Sequence, residues 1–65
     1  MSIANNLKKI RAEKGYPLEK VARLADLSLN TIVKIESGVN QNPTIDTLAK
    51  IAKALEVNVD DLIQK

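Results

Sequence analysis

The sequence predicts an all-α fold of five short helices, on three observations. Apolar residues recur at three- and four-residue spacing along most of the chain, and nothing alternates at period two for long enough to form a strand. Capping and stop residues divide the periodic stretches into five. A chain of 65 residues with no Cys has room for one small core, and with Tyr16 as its lone aromatic that core falls to Leu, Ile, Val and Ala, which pack most readily as helix on helix.

Each helix follows from its residues. Ile3, Leu7 and Ile10 share a face with Arg11 beside them, Ser2 is a good N-cap, and Gly15 can take the left-handed conformation that ends a helix, so residues 3 to 14 read as the first. Pro17 opens a second, in which Leu18, Val21, Ala22 and Ala25 fall at i, i+3, i+4 and i+7 and which stops near Asp26. Ser28 caps a third with a buried stripe of Ile32 and Ile35 and an end at Gly38. Val39 to Pro43 has turn composition and reads as a loop. Thr44 caps a fourth carrying Ile45, Leu48, Ile51, Ala52 and Leu55, with Asp46 well placed in its first turn. Asn58, with Asp61 three residues on, resembles a capping arrangement for a last short helix bearing Leu62 and Ile63. No internal repeat and no low-complexity tract stands out.

Composition narrows the function. With 45% hydrophobic and 28% charged residues the chain is a soluble globular one, and no apolar run approaches the roughly 18 residues of a membrane span. The start, Met1 to Asn6, lacks the features of a secretory signal, so a cytoplasmic location is expected. The absence of His and Cys removes the imidazole base, the thiol nucleophile and the usual zinc ligands. The carboxylates form no recognisable acid/base pair. Neither an enzyme nor a cofactor is expected. The net charge is +2, unevenly placed. Residues 1 to 23 hold six basic against two acidic residues, hence +4, and the remainder four against six, hence −2. A basic end opposite an acidic one can orient the molecule on a polyanion.

Residues 18 to 37 have the length of a helix-turn-helix unit: a helix, a turn and a second helix in about twenty residues. Ala22 supplies the small residue where the two helices cross, Ile32 and Ile35 point back from the second, and Asp26 is among the few non-glycine types that accept a left-handed turn.

Leu7-Lys8-Lys9-Ile10-Arg11, Lys14-Gly15-Tyr16, Val21-Ala22, Leu27-Ser28, Thr31-Ile32, Ile35-Glu36-Ser37-Gly38, Asn42-Pro43-Thr44-Ile45 and Ile51-Ala52-Lys53-Ala54-Leu55 together resemble the phage repressor and Cro family of helix-turn-helix DNA-binding proteins, from about residue 5 to residue 63. The resemblance implies a compact five-helix repressor-like domain occupying residues 1–65. Its third helix would enter the major groove, usually as a homodimer on a palindromic operator in double-stranded DNA.

Carried over by position, the resemblance assigns base reading to Leu29, Asn30, Val33 and Lys34, with Ser28, Thr31 and Ser37 near enough for backbone or base-edge contact. Asn30 can pair with adenine and Lys34 with guanine or phosphate, whereas Leu29 and Val33 offer apolar contact, for example to a thymine methyl. Many family members are polar at Leu29. Leu18 stands where a phosphate-orienting Gln is frequent and continues the buried stripe of its helix. Lys9 is assigned to the DNA backbone. Arg11 and Glu36 occupy positions that often pair in the family, an arrangement that would hold the recognition helix at its angle. Asp26, where the family usually has Gly, would bring a negative charge near the DNA. Val57, Val59 and Leu62 form either a self-complementary apolar edge for the dimer or part of the core. The competing reading is a protein-protein interaction module or engineered scaffold of the same fold with weak or no DNA reading, suggested by the modest charge and by the outward apolar residues Leu24, Leu29, Val33 and Val39.

Overall fold

A computed structural model describes residues 2–64. Five helices follow one another, α1 (Ile3–Lys14), α2 (Leu18–Ala25), α3 (Leu29–Glu36), α4 (Ile45–Leu55) and α5 (Val59–Ile63), in a body of 25 × 22 × 19 Å. Short-range chemistry sets their ends. The hydroxyls of Ser2, Ser28 and Thr44 accept hydrogen bonds from the backbone N–H groups of Asn5, Thr31 and Thr47 at 3.0, 3.1 and 3.1 Å, satisfying donors that a helix start leaves orphaned. At α5, the backbone N–H of Asn58 donates to Asp61 Oδ2 at 2.9 Å.

Three helices stop on a left-handed residue: Gly15 (φ 71°), Asp26 (φ 57°) and Glu56 (φ 59°). Gly38 (φ 85°) closes α3 just past its last turn. Space around the glycines is open, so they are required for their backbone angles and not for a close approach. Glu56 carries no sequence signal for this conformation, which is unfavourable for a residue with a long side chain.

Leu7, Val21, Ile32, Ile35, Ile51, Leu55 and Leu62, one to two from each helix, are the large side chains fully enclosed at the centre. Around them α2 packs on α3 and α4, while α1 packs on α3, α4 and α5. The backbone amides of Leu27 and Val57 each donate to a carbonyl five residues back, Ala22 and Ala52, both at 2.9 Å.

Two expectations change and one open alternative narrows. Ile45 is 69% exposed and belongs to the surface. As the first residue of α4 its side chain leans back beyond the helix start, although it keeps the i, i+3, i+7 spacing with Leu48 and Ala52. Of the two readings open for the C-terminal apolar residues, packing favours the core: Leu62 is enclosed, and Val57 and Val59 are partly buried against it. There is also a short internal recurrence. Val21 to Ser28 and Ile51 to Asn58 share the pattern β-branched residue, Ala, basic residue, two variable positions, acidic residue, apolar residue, polar cap. In both, the acidic residue is left-handed, Asp26 at (57°, 44°) and Glu56 at (59°, 41°), and a new helix begins three residues later.

Candidate nucleic-acid interface

Helix α3 has two sides with different fates. Ile32 and Ile35 are sealed into the core, and the outer side shows Leu29, Asn30, Val33 and Lys34, all exposed. Residues four apart stack along a helix, which divides this outer side into two ridges: an apolar one of Leu29 and Val33, and a polar one of Asn30 and Lys34. The side chains of Asn30 and Lys34 make no hydrogen bond or ion pair to any of the described residues. The neighbouring hydroxyls are committed to the helix's own ends. Ser28 and Thr31 bond each other at 2.8 Å, and Ser37 donates to the Lys34 carbonyl at 3.3 Å.

The tilt of α3 is set from α1. Arg11 forks onto Glu36, Nε to Oε1 at 2.7 Å and Nη2 to Oε2 at 3.1 Å, and its third donor, Nη1, reaches the Tyr16 carbonyl at 2.9 Å. One guanidinium therefore ties the last turn of α3 to the turn between α1 and α2. Planar bidentate geometry makes such a pair directional, which a lysine could not reproduce. Glu36 is buried at 8% exposure, and the fork supplies a donor to each of its carboxylate oxygens. Leu18 is half-buried against the core at the start of α2, consistent with its place in that helix's apolar stripe.

Lys9 and Asp26 each line a groove between helices. Lys9 is two positions from Arg11, about 200° around the helix, and lines the opposite flank of α1 with Glu13, Val57 and Asp61. Lys8 is exposed and, three positions before Arg11, shares that residue's side of α1. Asp26 and Leu24 border the groove between α2 and α4 together with Lys50 and Lys53, away from the outer side of α3. Leu24 is therefore not continuous with the Leu29–Val33 ridge. Asn6, which no sequence signal singled out, binds the far end of the chain: its Nδ2 donates to the carbonyls of Leu62 and Gln64 at 2.7 and 2.8 Å.

Residues 7–62 match the helix-turn-helix family. The chain belongs to that family, in its phage repressor and Cro branch. It is similar to the HTH-type transcriptional regulator SinR of Bacillus subtilis, 33% identical over 63 residues, which cover 97% of this chain and 57% of SinR. The chain thus spans little more than half the length of that relative. Among solved structures it resembles the N-terminal DNA binding domain of SinR (TM-score 0.91, 33% identity, 97% of this chain and 91% of that one). It also resembles SinR in complex with DNA (TM-score 0.90, 34% identity, 95% and 98%). Among the described residues no helix is long and apolar enough to cross a membrane, and no group of His, Cys, Asp and Glu is placed to hold a metal ion.

Proposed function

We propose that the chain binds double-stranded DNA sequence-specifically, with α3 in the major groove, as a repressor-like transcriptional regulator acting in the cytoplasm. The observation that carries this reading is the outer side of α3. Its hydrogen-bonding side chains, Asn30 and Lys34, are exposed and unpartnered among the described residues, on a frame that superposes on a DNA-bound relative. In this reading Asn30 and Lys34 contact base edges. Leu29 and Val33 add apolar contact, and the N-cap region at Ser28 and Thr31, with Ser37, lies against the phosphates. Arg11, Glu36 and Leu18 position the helices. Lys8 replaces Lys9 as the basic residue of α1 on the DNA side.

Pairing as a homodimer on a palindromic operator belongs to the same proposal, with half-sites about 34–36 Å apart, one helical turn of DNA. Since Leu62 is enclosed and its neighbours half-buried, the free protein is expected to be largely monomeric and to pair on the operator.

Selection from a random duplex pool, followed by titration of the enriched site at increasing salt, tests the reading. Counterion release requires the logarithm of affinity to fall linearly with the logarithm of salt concentration, with a slope of about −0.9 per phosphate neutralised. Absence of binding at low salt, or a salt-independent affinity, would overturn it. Enrichment of an asymmetric site bound by one molecule would remove the dimer and leave DNA reading intact.

The exposed Leu29–Val33 ridge favours one other reading, a surface for a protein partner. Replacing both residues with Ser separates the two. Unchanged DNA binding together with lost self-association in sedimentation equilibrium would favour the protein surface.

A further inference from the structure

We infer that this protein reads the C5-methyl groups of its DNA site as a principal specificity element, and that it therefore treats 5-methylcytosine as it treats thymine wherever Leu29 and Val33 meet the groove. The inference rests on the DNA-binding reading above and adds what chemistry the site must present.

Seven residues at or near the outer side of α3 bear on readout. The Ser28 and Thr31 hydroxyls bond each other at 2.8 Å and cap the helix, and the Ser37 hydroxyl turns back to Lys34 O. The hydrogen-bonding side chains of this side with no partner among the described residues are two, Asn30 and Lys34. The other two exposed positions are branched aliphatics, Leu29 at 43% and Val33 at 40% exposure. They can neither donate to a base nor accept from one. In the major groove the matching apolar feature of a base pair is the methyl on C5 of thymine.

Geometry suits adjacent methyls. Side chains at i and i+4 have Cβ atoms about 5–6 Å apart, a span between one and two base-pair steps of about 3.4 Å each. The polar ridge lies one residue around the helix, so a methyl-bearing pair meeting Leu29 or Val33 sits beside a pair read by Asn30 or Lys34. With adenine the favoured partner of Asn30, the half-site should be rich in A·T pairs. Nothing on the apolar ridge distinguishes the O4 of thymine from the N4 amino group of cytosine. A methyl at C5 therefore contributes the same contact on either base.

The experiment uses the enriched duplex and the full chain. Thymines are replaced one at a time by deoxyuridine, which removes the methyl and changes no hydrogen bond, and separately T·A pairs are replaced by C·G with and without methylation at C5. At two positions per half-site the loss with deoxyuridine is expected to be about fourfold each, the worth of one buried methyl-sized group. At the same positions 5-methylcytosine should bind about fourfold more tightly than cytosine. In the Leu29→Ser/Val33→Ser protein both effects should vanish while its melting temperature stays that of the parent. This double difference isolates the contact from any general weakening. Tight binding to the enriched site with no deoxyuridine position changing affinity by more than about twofold would overturn methyl reading and leave the DNA-binding proposal standing. Failure to enrich or bind any duplex would overturn both. The deoxyuridine series on the unaltered protein decides the matter even if the double variant folds poorly.

Discussion

The α2–α3 and α4–α5 corners are built alike and finished differently. Each begins with a helix carrying a β-branched residue and an Ala into the core, turns on a left-handed acidic residue, and restarts on a polar cap two residues later. Each second helix is fastened to α1 by one side chain, α3 by Arg11 through Glu36 and α5 by Asn6 through the Leu62 carbonyl. The surfaces diverge. The eight-residue α3 shows Asn30 and Lys34 beside an apolar ridge, whereas the five-residue α5 shows Asp60, Asp61 and Ile63. Carboxylates facing a phosphate backbone are repelled by it, so the second corner is less suited to nucleic acid although its turn residue holds nearly the same backbone angles as that of the first. The bend between two helices is thus a product of short-range rules available to any sequence. Recognition is a property of what the exposed side carries and of how rigidly that side is held.

The largest expected break in the comparison comes from the way α3 is held. Glu36→Ala leaves Arg11 partly enclosed without its bidentate partner and should cost about 2–3 kcal/mol of stability, less than a fully buried pair because the Arg11 side chain keeps 24% exposure. Urea denaturation reads the loss. DNA affinity should fall further than the stability change explains once measurements are made well below the melting temperature, since α3 is freed to tilt. An affinity that tracked the folded fraction alone would show that the fork supports the fold and nothing more.

Next come the exposed sides themselves. Asn30→Ala and Lys34→Ala should each lose about 1–3 kcal/mol of binding on the selected site and relax its preference, while stability moves by no more than about 0.5 kcal/mol. At the other corner, Asp60→Asn should leave DNA affinity the same or slightly higher. A loss with Asp60→Asn comparable to that with Asn30→Ala would place the DNA on the wrong corner.

The tether of α5 provides the matched control for the first experiment. Asn6→Ala removes two donated hydrogen bonds and should cost about 1–2 kcal/mol. Because α5 has no part in reading, DNA affinity at a temperature where the variant is folded should be unchanged. Hydrogen exchange should show the amides of Leu62 and Ile63 losing protection before those of Ile32 and Ile35.

These contrasts also mark what the sequence makes legible. Ser2, Gly15, Ser28 and Thr44 act on backbone groups within four residues, so their effects are readable from spacing alone, as is the fork between Arg11 and Glu36 once the family resemblance pairs them. The inward side of α3 follows from Ile32 and Ile35. What escapes is set by distance or by the position of a helix end. Asn6 acts on carbonyls 56 and 58 residues away. The choice of Lys8 over Lys9 depends on which flank of α1 meets α3, and Ile45 fits the apolar period of α4 yet projects past its first turn. Glu56 in the left-handed region breaks a residue preference, and only its likeness to Asp26, thirty positions earlier by the numbering, could have flagged it.

The smallest expected effect sharpens that likeness. Asp26 and Glu56 hold almost the same backbone angles, but the short Asp side chain tolerates the left-handed region better than Glu does. The strain relieved by glycine is about 1–2 kcal/mol for an ordinary residue, and glycine's larger freedom in the unfolded chain takes back roughly 0.5–1 kcal/mol. Glu56→Gly should therefore gain about 0.5–1 kcal/mol, and Asp26→Gly less. The ion pair lost at Glu56 does not reverse this, because it lies 3.7 Å from Lys14 with the Glu56 side chain 77% exposed and such pairs contribute little. In a chain of this size the Glu56 gain corresponds to about 2–8 °C in melting temperature. Because Asp26 lies on the groove between α2 and α4 and not on the outer side of α3, its replacement should also leave DNA affinity within about twofold. A rise in affinity well beyond that would return the Asp26 carboxylate to the DNA side, where the sequence alone had put it. A larger thermal gain at position 26 than at 56 would mean that the two turns, matched in angle, are strained for different reasons.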